Sequence, residues 1–292
     1  MTDEREQRNA VFGQPPQGID PRMPSISAAE KVKADFGLDI PAETVPLPSA
    51  GKVYPATSSL AGLEVVDIRP MSAREEDILT SRALLKKGTV VTELIRSCLI
   101  DRSIDPTQLL TGDRNALMVA IRITGYGADY EVEVECPDTD CSVKSKHMFD
   151  LSQLPIRRLE LEPVSAGSNL FEFKLPRTGK VVKFRFLTGK DEEDIVATQD
   201  RQKKLNLTQG DTAVTSNLLY SIVAIDGVED RSKIAGFIRA MPAGDSLALR
   251  TYIRDNEPGI TMKQGFTCPA CGHSEEVVVG LTTEFLWPSA GR

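Results

Sequence analysis

Residues Gly112–Pro137, GDRNALMVAIRITGYGADYEVEVECP, align without a gap on Gly244–Pro269, GDSLALRTYIRDNEPGITMKQGFTCP. Gly112-Asp113 falls on Gly244-Asp245, Leu117 on Leu249, and Ile121-Arg122 on Ile253-Arg254. Gly127 then falls on Gly259, and Cys136-Pro137 on Cys268-Pro269. The order extends upstream. Leu47-Pro48, Gly51-Lys52-Val53 recurs as Leu175-Pro176, Gly179-Lys180-Val181. Arg69 answers Arg185, Glu75-Glu76-Asp77-Ile78 answers Glu192-Glu193-Asp194-Ile195, and Ile100-Asp101 answers Ile225-Asp226. One or two such matches arise by chance between short helices. An ordered series predicts an internal duplication.

Each copy reads as a β-piece, a run of helices, and a strand entering and leaving a cysteine turn. LEVVDIRP opens one copy, and the hairpin LFEFKLPRTGKVVKFRF, turning at Thr178-Gly179, opens the other. Ser72 and Thr188 are the expected N-caps of the next helices, with acidic residues in the first turn. Further helices are expected at 92–104 and 216–225, and after Gly112-Asp113 and Gly244-Asp245. The predicted fold is α+β: two helical lobes carrying β-ribbons, joined at a shared four-cysteine site. The expected divisions are an extended arm over 1–44, repeat 1 over 45–155, a linker over 156–168, repeat 2 over 169–287, and a tail over 288–292. Within the arm, Ser27-Ala28-Ala29-Glu30 has the form of a capping box, so a short helix is expected near Ser27–Phe36.

The chain has 292 residues, 35 Lys+Arg against 42 Asp+Glu, and a net charge of −7. That balance disfavours a general nucleic-acid binder, which relies on clustered positive charge. No apolar run approaches a membrane span, and the charged start MTDEREQRNA has no signal core behind it, so synthesis in a reducing cytoplasm is expected. Only two histidines are present, His147 and His273, which weakens most hydrolase and transferase readings.

Four of the five cysteines form two close pairs: Cys136 and Cys141 as C-x4-C, Cys268 and Cys271 as C-x2-C followed by Gly. A tight turn at a strand end aims two thiolates at one metal, and zinc takes four ligands tetrahedrally. Neither copy supplies four. One structural Zn²⁺ shared by Cys136, Cys141, Cys268 and Cys271 is the economical solution, against four free thiols or two disulfides, or His147 or His273 as a substitute ligand. Cys98, in ELIRSCLI, is expected to be a buried core side chain. The acidic runs at 75–77 and 191–194 suit helix N-termini better than catalysis. Gly51-Lys52, Gly179-Lys180 and Gly189-Lys190 lack the earlier glycine and the following Ser or Thr of a phosphate loop and read as turns. Arg122 and Arg254 read as ion-pair partners. Arg157-Arg158 and Arg201 with Lys203-Lys204 read as solvated faces. No catalytic residue is assigned.

The series LPSAGKVYP, EVVDIRPMSAREEDIL, ELIRSCLID, LLTGDRNALMVAIRITGYG, YEVEVECPDTDC and FDLSQL, with the closing FLWPS, resembles the baseplate hub subunit family of contractile-tailed phages of the T-even type. The likeness is densest over 46–155. It implies a non-enzymatic structural part of a phage tail baseplate, in or near the hub, located in the virion after synthesis in the host cytoplasm. Expected partners are other tail and baseplate proteins, with the arm docking on neighbours, several copies per assembly, and neither nucleic acid nor membrane. Two alternatives stand beside it: an assembly chaperone absent from the mature particle, and a zinc-ribbon regulatory or nucleic-acid-binding protein.

Overall fold

The chain divides into Met1–Pro41 and a compact unit, Ala42–Arg292. The computed structural model describes residues 41–204 and 213–278, with Gly37, Gly280 and 283–286. The expected arm helix and the 288–292 tail lie outside the described residues, as does nearly all of the arm.

Strand β1 (Glu43–Pro46) pairs antiparallel with β2 (Val65–Ile68). Three helices follow: α1 (Ala73–Thr80), α2 (Arg82–Lys87) and α3 (Val90–Cys98). Helix α4 (Thr111–Tyr126) then leads into the hairpin β3 (Asp129–Glu135) and β4 (Lys144–Asp150). In β3, Tyr130, Val132 and Val134 turn inward, while Glu131, Glu133 and Glu135 face water; Lys146 and Lys144 of β4 pair with Glu131 and Glu135. This is the period-two pattern of a strand with one covered face.

After β5 (Ile156–Arg157) the pattern returns. Strands β6 (Phe171–Lys174) and β7 (Val181–Phe184) form the expected hairpin. Helices α5 (Gly189–Lys204) and α6 (Ala213–Ser221) follow, then β8 (Ile222–Ile225), α7 (Arg231–Ala240) and α8 (Ala243–Asn256). The short β9 (Gly259–Ile260), the hairpin β10 (Lys263–Thr267) and β11 (Ser274–Val278), and α9 (Thr283–Leu286) complete the unit.

Two helices stop earlier than periodicity suggests. Helix α3 ends at Cys98, and Leu99 forms a bridge to Ile68; α6 ends at Ser221, and β8 pairs with β7. The Arg69 amide donates to Cys98 O at 2.9 Å, and the Arg185 amide to Ser221 O at 2.9 Å. Cys98 and Ser221, the last residues of their helices, thus accept from the arginine just after the neighbouring strand. A run such as Ile222-Val223-Ala224-Ile225 is apolar all round, and a neighbouring strand offers its backbone the partners that a helix would supply. Helix α7, which the sequence reading omits, starts at Asp230, whose carboxylate accepts from the amides of Ser232 and Lys233.

Instead of two lobes with separate cores, a single apolar cluster runs from Val45 through Leu117 and Phe184 to Leu249 and Phe285. The two stretches meet along a backbone seam. Leu110 bridges to Thr188, the Thr111 amide donates to Leu187 O at 2.9 Å, and the Gly189 amide donates to Leu109 O at 3.0 Å. Arg114, 4% exposed, lies across this seam, donating to Thr92 Oγ1 and Pro106 O and pairing with Glu192 at 3.5 Å; Thr92 in turn donates to Glu193. Gly189 opens α5 rather than forming a turn. A Cβ there would sit 1.9 Å from Arg114 Nη1. The linker also packs: β5 pairs with β9, and Leu159 is buried with its amide on Pro48 O. No helix among the described residues is long and apolar enough to cross a membrane.

Gly112 and Gly244 occupy the same place in α4 and α8 but meet different neighbours. A Cβ on Gly112 would lie 1.7 Å from Pro258 O, whereas one on Gly244 would meet the exposed Arg177 side chain at 2.7 Å. Backbone cannot step aside as a guanidinium can. Gly112→Ala is expected to destabilise by about 3 kcal/mol, and Gly244→Ala to stay within about 1 kcal/mol of wild type because helix propensity offsets the contact. Urea unfolding of both variants reads the difference; equal effects would contradict it.

Candidate metal centre

The acidic runs sit at helix N-termini, as their sequence suggests. Glu75 is the third residue of α1. Its Oε2 accepts from the Ser72 amide (2.9 Å) and hydroxyl (2.6 Å), and Arg69 grips the carboxylate through both terminal nitrogens. Burial raises its pKa, but the bonds from Arg69, Ser72 and Ser97 outweigh that and hold it to about 2. Asp191 does the same in α5. It accepts from the Thr188 amide and hydroxyl and from both Arg185 nitrogens at 2.6 and 2.7 Å. The residue in this role is Asp191, one place before the Glu192 that the sequence alignment selects. Both N-caps are as expected.

Asp113 and Asp245, third residues of α4 and α8, reach out of their helices to a turn. Asp113 is fully buried and accepts from the Ser49 amide (2.9 Å), the Ser49 hydroxyl (2.6 Å) and the Tyr54 hydroxyl (2.6 Å). Asp245 accepts from the amides of Arg177 (2.7 Å) and Thr178 (3.0 Å). These turns are the two LPxxGK segments. Gly51-Lys52 and Gly179-Lys180 thus belong to backbone turns held by a carboxylate, and no phosphate-loop geometry is involved.

Arg122 is not an ion-pair partner. It is buried, donates to Gly127 O and Asp129 O, and lies over the rings of Tyr126 and Tyr130. Carbonyls left open where α4 turns into β3 are its acceptors. Arg254 pairs with its neighbour Asp255 on the surface. Cys98 is buried as expected, and burial, with the Glu75 charge adding, pushes its thiol up to about 12.

The remaining cysteines come together. The Sγ atoms of Cys136, Cys141, Cys268 and Cys271 all lie within 4.8 Å of one another. Contacts at 3.7 Å (Cys136–Cys271) and 3.8 Å (Cys141–Cys268) run from one hairpin to the other. Two matching turns aim these sulfurs. In the first, the Cys136 amide bonds Val143 O, the Cys141 and Ser142 amides bond Asp138 O, and Ser142 takes a positive φ of 46°. In the second, the Cys268 amide bonds His273 O, the Gly272 amide bonds Cys268 O, and Gly272 has φ 76°. Cys136 and Cys268 are buried beside Phe266 in a small apolar cluster of their own, with Val134 and Val277 against it. His147 packs edge-on to Phe266, and His273 contacts Glu275; neither joins the sulfur cluster.

A tetrahedral thiolate shell with metal–sulfur bonds of about 2.3 Å has sulfur–sulfur edges of about 3.8 Å. Two of the six sulfur pairs, at 3.7 and 3.8 Å, match that edge and all lie within 4.8 Å, so the four residues could hold one metal ion. The amides of Cys271 and Ala270 draw the Cys268 thiol down to about 7, whereas burial pushes Cys136 up to about 12, so four thiolates together require a bound cation.

An α+β unit with structurally committed carboxylates and a closed four-sulfur cluster has the character of a building part. The family comparison agrees: the model of the T4 bacteriophage base plate protein family matches residues 42–287, and the chain belongs to that family. It is a structural component of the phage tail baseplate. No curated protein and no solved structure matches it.

Ser142 holds the left-handed conformation that Gly272 holds in the other turn, and an L side chain there costs about 1–2 kcal/mol. Ser142→Gly is expected to keep the sulfur cluster and raise stability by up to about 1 kcal/mol, since glycine also loses more freedom on folding. Denaturant titration of the variant checks this; a loss of stability would show that the Ser142 side chain is needed.

Proposed function

We propose that this chain is a non-enzymatic, hub-proximal baseplate subunit, internally duplicated, whose two copies are tied by one structural Zn²⁺ on Cys136, Cys141, Cys268 and Cys271. Membership of the baseplate family over 42–287 is the observation that carries the reading. The matched hydrogen bonds support the duplication. Arg69 with Glu75 parallels Arg185 with Asp191, and Asp113 on its turn parallels Asp245 on its own. The gathering of four free cysteines within 4.8 Å, with two contacts at 3.7 and 3.8 Å, supports one shared zinc, and four thiolates leave it no open coordination position. The carboxylates gathered in the acidic runs serve caps and ion pairs, which supports the absence of catalysis. The N-terminal arm is proposed to dock on neighbouring baseplate proteins, with several copies per assembly, repeat 1 over 45–155 and repeat 2 over 169–287.

Two other readings remain testable. An assembly chaperone would share this fold and leave the particle. A zinc-ribbon regulator would need a basic face, but the outer face of β3 carries Glu131, Glu133 and Glu135 against Lys144 and Lys146.

Quantitative peptide mass spectrometry on purified particles is expected to find the chain at fixed stoichiometry to other baseplate proteins. Absence from particles, with presence in infected cells, would favour the chaperone. Elemental analysis of protein purified under reducing conditions should give one zinc per chain, and Cys268→Ser should abolish tight binding while leaving the far-UV CD spectrum largely intact. Metal-free wild type, or two ions per chain, would rule out the shared site.

A further inference from the structure

We propose that the four cysteines also form a redox lock: once metal is lost in an oxidising medium, the site closes as two disulfides, Cys136–Cys271 and Cys141–Cys268, each joining one hairpin to the other. The metal-bound starting state rests on the zinc reading above; the disulfide pattern rests on the sulfur positions alone. Within a cluster whose four sulfurs all lie within 4.8 Å, Cys136–Cys271 and Cys141–Cys268 approach across the hairpins to 3.7 and 3.8 Å. Each pair must close by about 1.7 Å to reach the bonding distance of about 2.05 Å. Each couple also joins a buried sulfur to a more accessible one: Cys136 is buried and Cys271 exposed, and Cys268 is buried while Cys141 is partly open. An oxidant therefore meets Cys271 and Cys141 first, with a resolving thiol already beside each.

With a peroxide as oxidant the chemistry balances. The Cys271 thiolate attacks a peroxide oxygen; an S–O bond forms, the O–O bond breaks and hydroxide leaves, giving a sulfenic acid. The Cys136 thiolate then attacks that sulfur; the S–S bond forms, the S–O bond breaks and a second hydroxide leaves. Two thiolates lose two electrons and one peroxide gains them. Cys141 and Cys268 repeat the sequence with a second peroxide. The product links residues 135 and 127 positions apart, so the connection made by the metal persists without it. A subunit assembled in a reducing cytoplasm and carried in a released particle passes between these two conditions.

The test uses the full chain. Reduced protein is assayed for metal, stripped with EDTA, treated with hydrogen peroxide, denatured and alkylated, and then digested with an Asp-specific protease, which cuts between Cys136 and Cys141. Tandem mass spectrometry is expected to find Cys136–Cys271 and Cys141–Cys268, with Cys98 as the one alkylated thiol. Disulfides within a turn, Cys136–Cys141 and Cys268–Cys271, would overturn the lock, as would Cys136–Cys268 with Cys141–Cys271, or four alkylated site cysteines. The double variant Cys141→Ser/Cys268→Ser should still oxidise fully to Cys136–Cys271, at least tenfold faster than Cys141→Ser/Cys271→Ser forms Cys136–Cys268. Equal rates would count against the proposed pairing. A metal-free starting protein would sink the zinc reading while leaving the disulfide map to be judged on its own.

Discussion

A carboxylate three residues into a helix recurs at four points in this fold and ties each helix to something outside it. Glu75 and Asp191 bind the arginine that ends the preceding strand, so strand and helix cannot pivot. Asp113 and Asp245 bind the amides of a remote turn, so the last long helix of each stretch anchors the chain that opens it. The position is chosen by physics. The first helical turn has unpaired N–H groups and the positive end of the dipole, which favour a carboxylate there, although burial still raises the pKa of Asp113. Removing Glu75 or Asp191 leaves a part-buried arginine without its partner, and removing Asp113 leaves the Ser49 and Tyr54 donors unsatisfied. The seam at Arg114, the hairpins and the sulfur cluster all depend on helices held in this way.

Much of this was legible in the sequence, and the divide between what was and was not follows distance along the chain. The helices after Ser72, Thr188, Gly112-Asp113 and Gly244-Asp245 were readable because caps and periodicity are local. The grouping of Cys136, Cys141, Cys268 and Cys271 was readable because two half-complete ligand pairs call for each other. The ends of α3 and α6 were not, since only the neighbouring strands β2 and β7 make extension better than helix there. Asp113 stood out as a matched residue, but its partner Ser49 lies 64 positions away and nothing in either residue names the other. The seam role of Arg114 was missed for the same reason. Its contacts to Thr92 and Glu192 appear only when α3, α4 and α5 converge.

The relation between the core and the sulfur cluster changes what a bound metal contributes. With one continuous apolar core and a hydrogen-bonded seam, the two stretches are already joined. A metal at the hairpin tips therefore acts on the tips. The hairpins β3–β4 and β10–β11 are two-stranded, and such ribbons are marginal by themselves. Their inner faces meet through Phe266, His147 and Phe149, with the four sulfurs at the far end. A four-thiolate centre would fix the ends of two ribbons that otherwise hold there only through the small cluster around Phe266.

The approach of Gly112 to Pro258, and the bond from Arg157 to the Glu257 carbonyl a hundred residues away, have a consequence during translation. The start of α4 emerges from the ribosome long before the strand that covers it. Until Pro258-Gly259 arrives, the helix has no lid over its glycine, and β5 has no partner for its edge. The nascent first stretch is therefore a template waiting for its complement, and closure waits until Pro258-Gly259 has been made. A polypeptide cut short before that point would carry an open strand edge, the feature through which partly made chains most readily associate with one another.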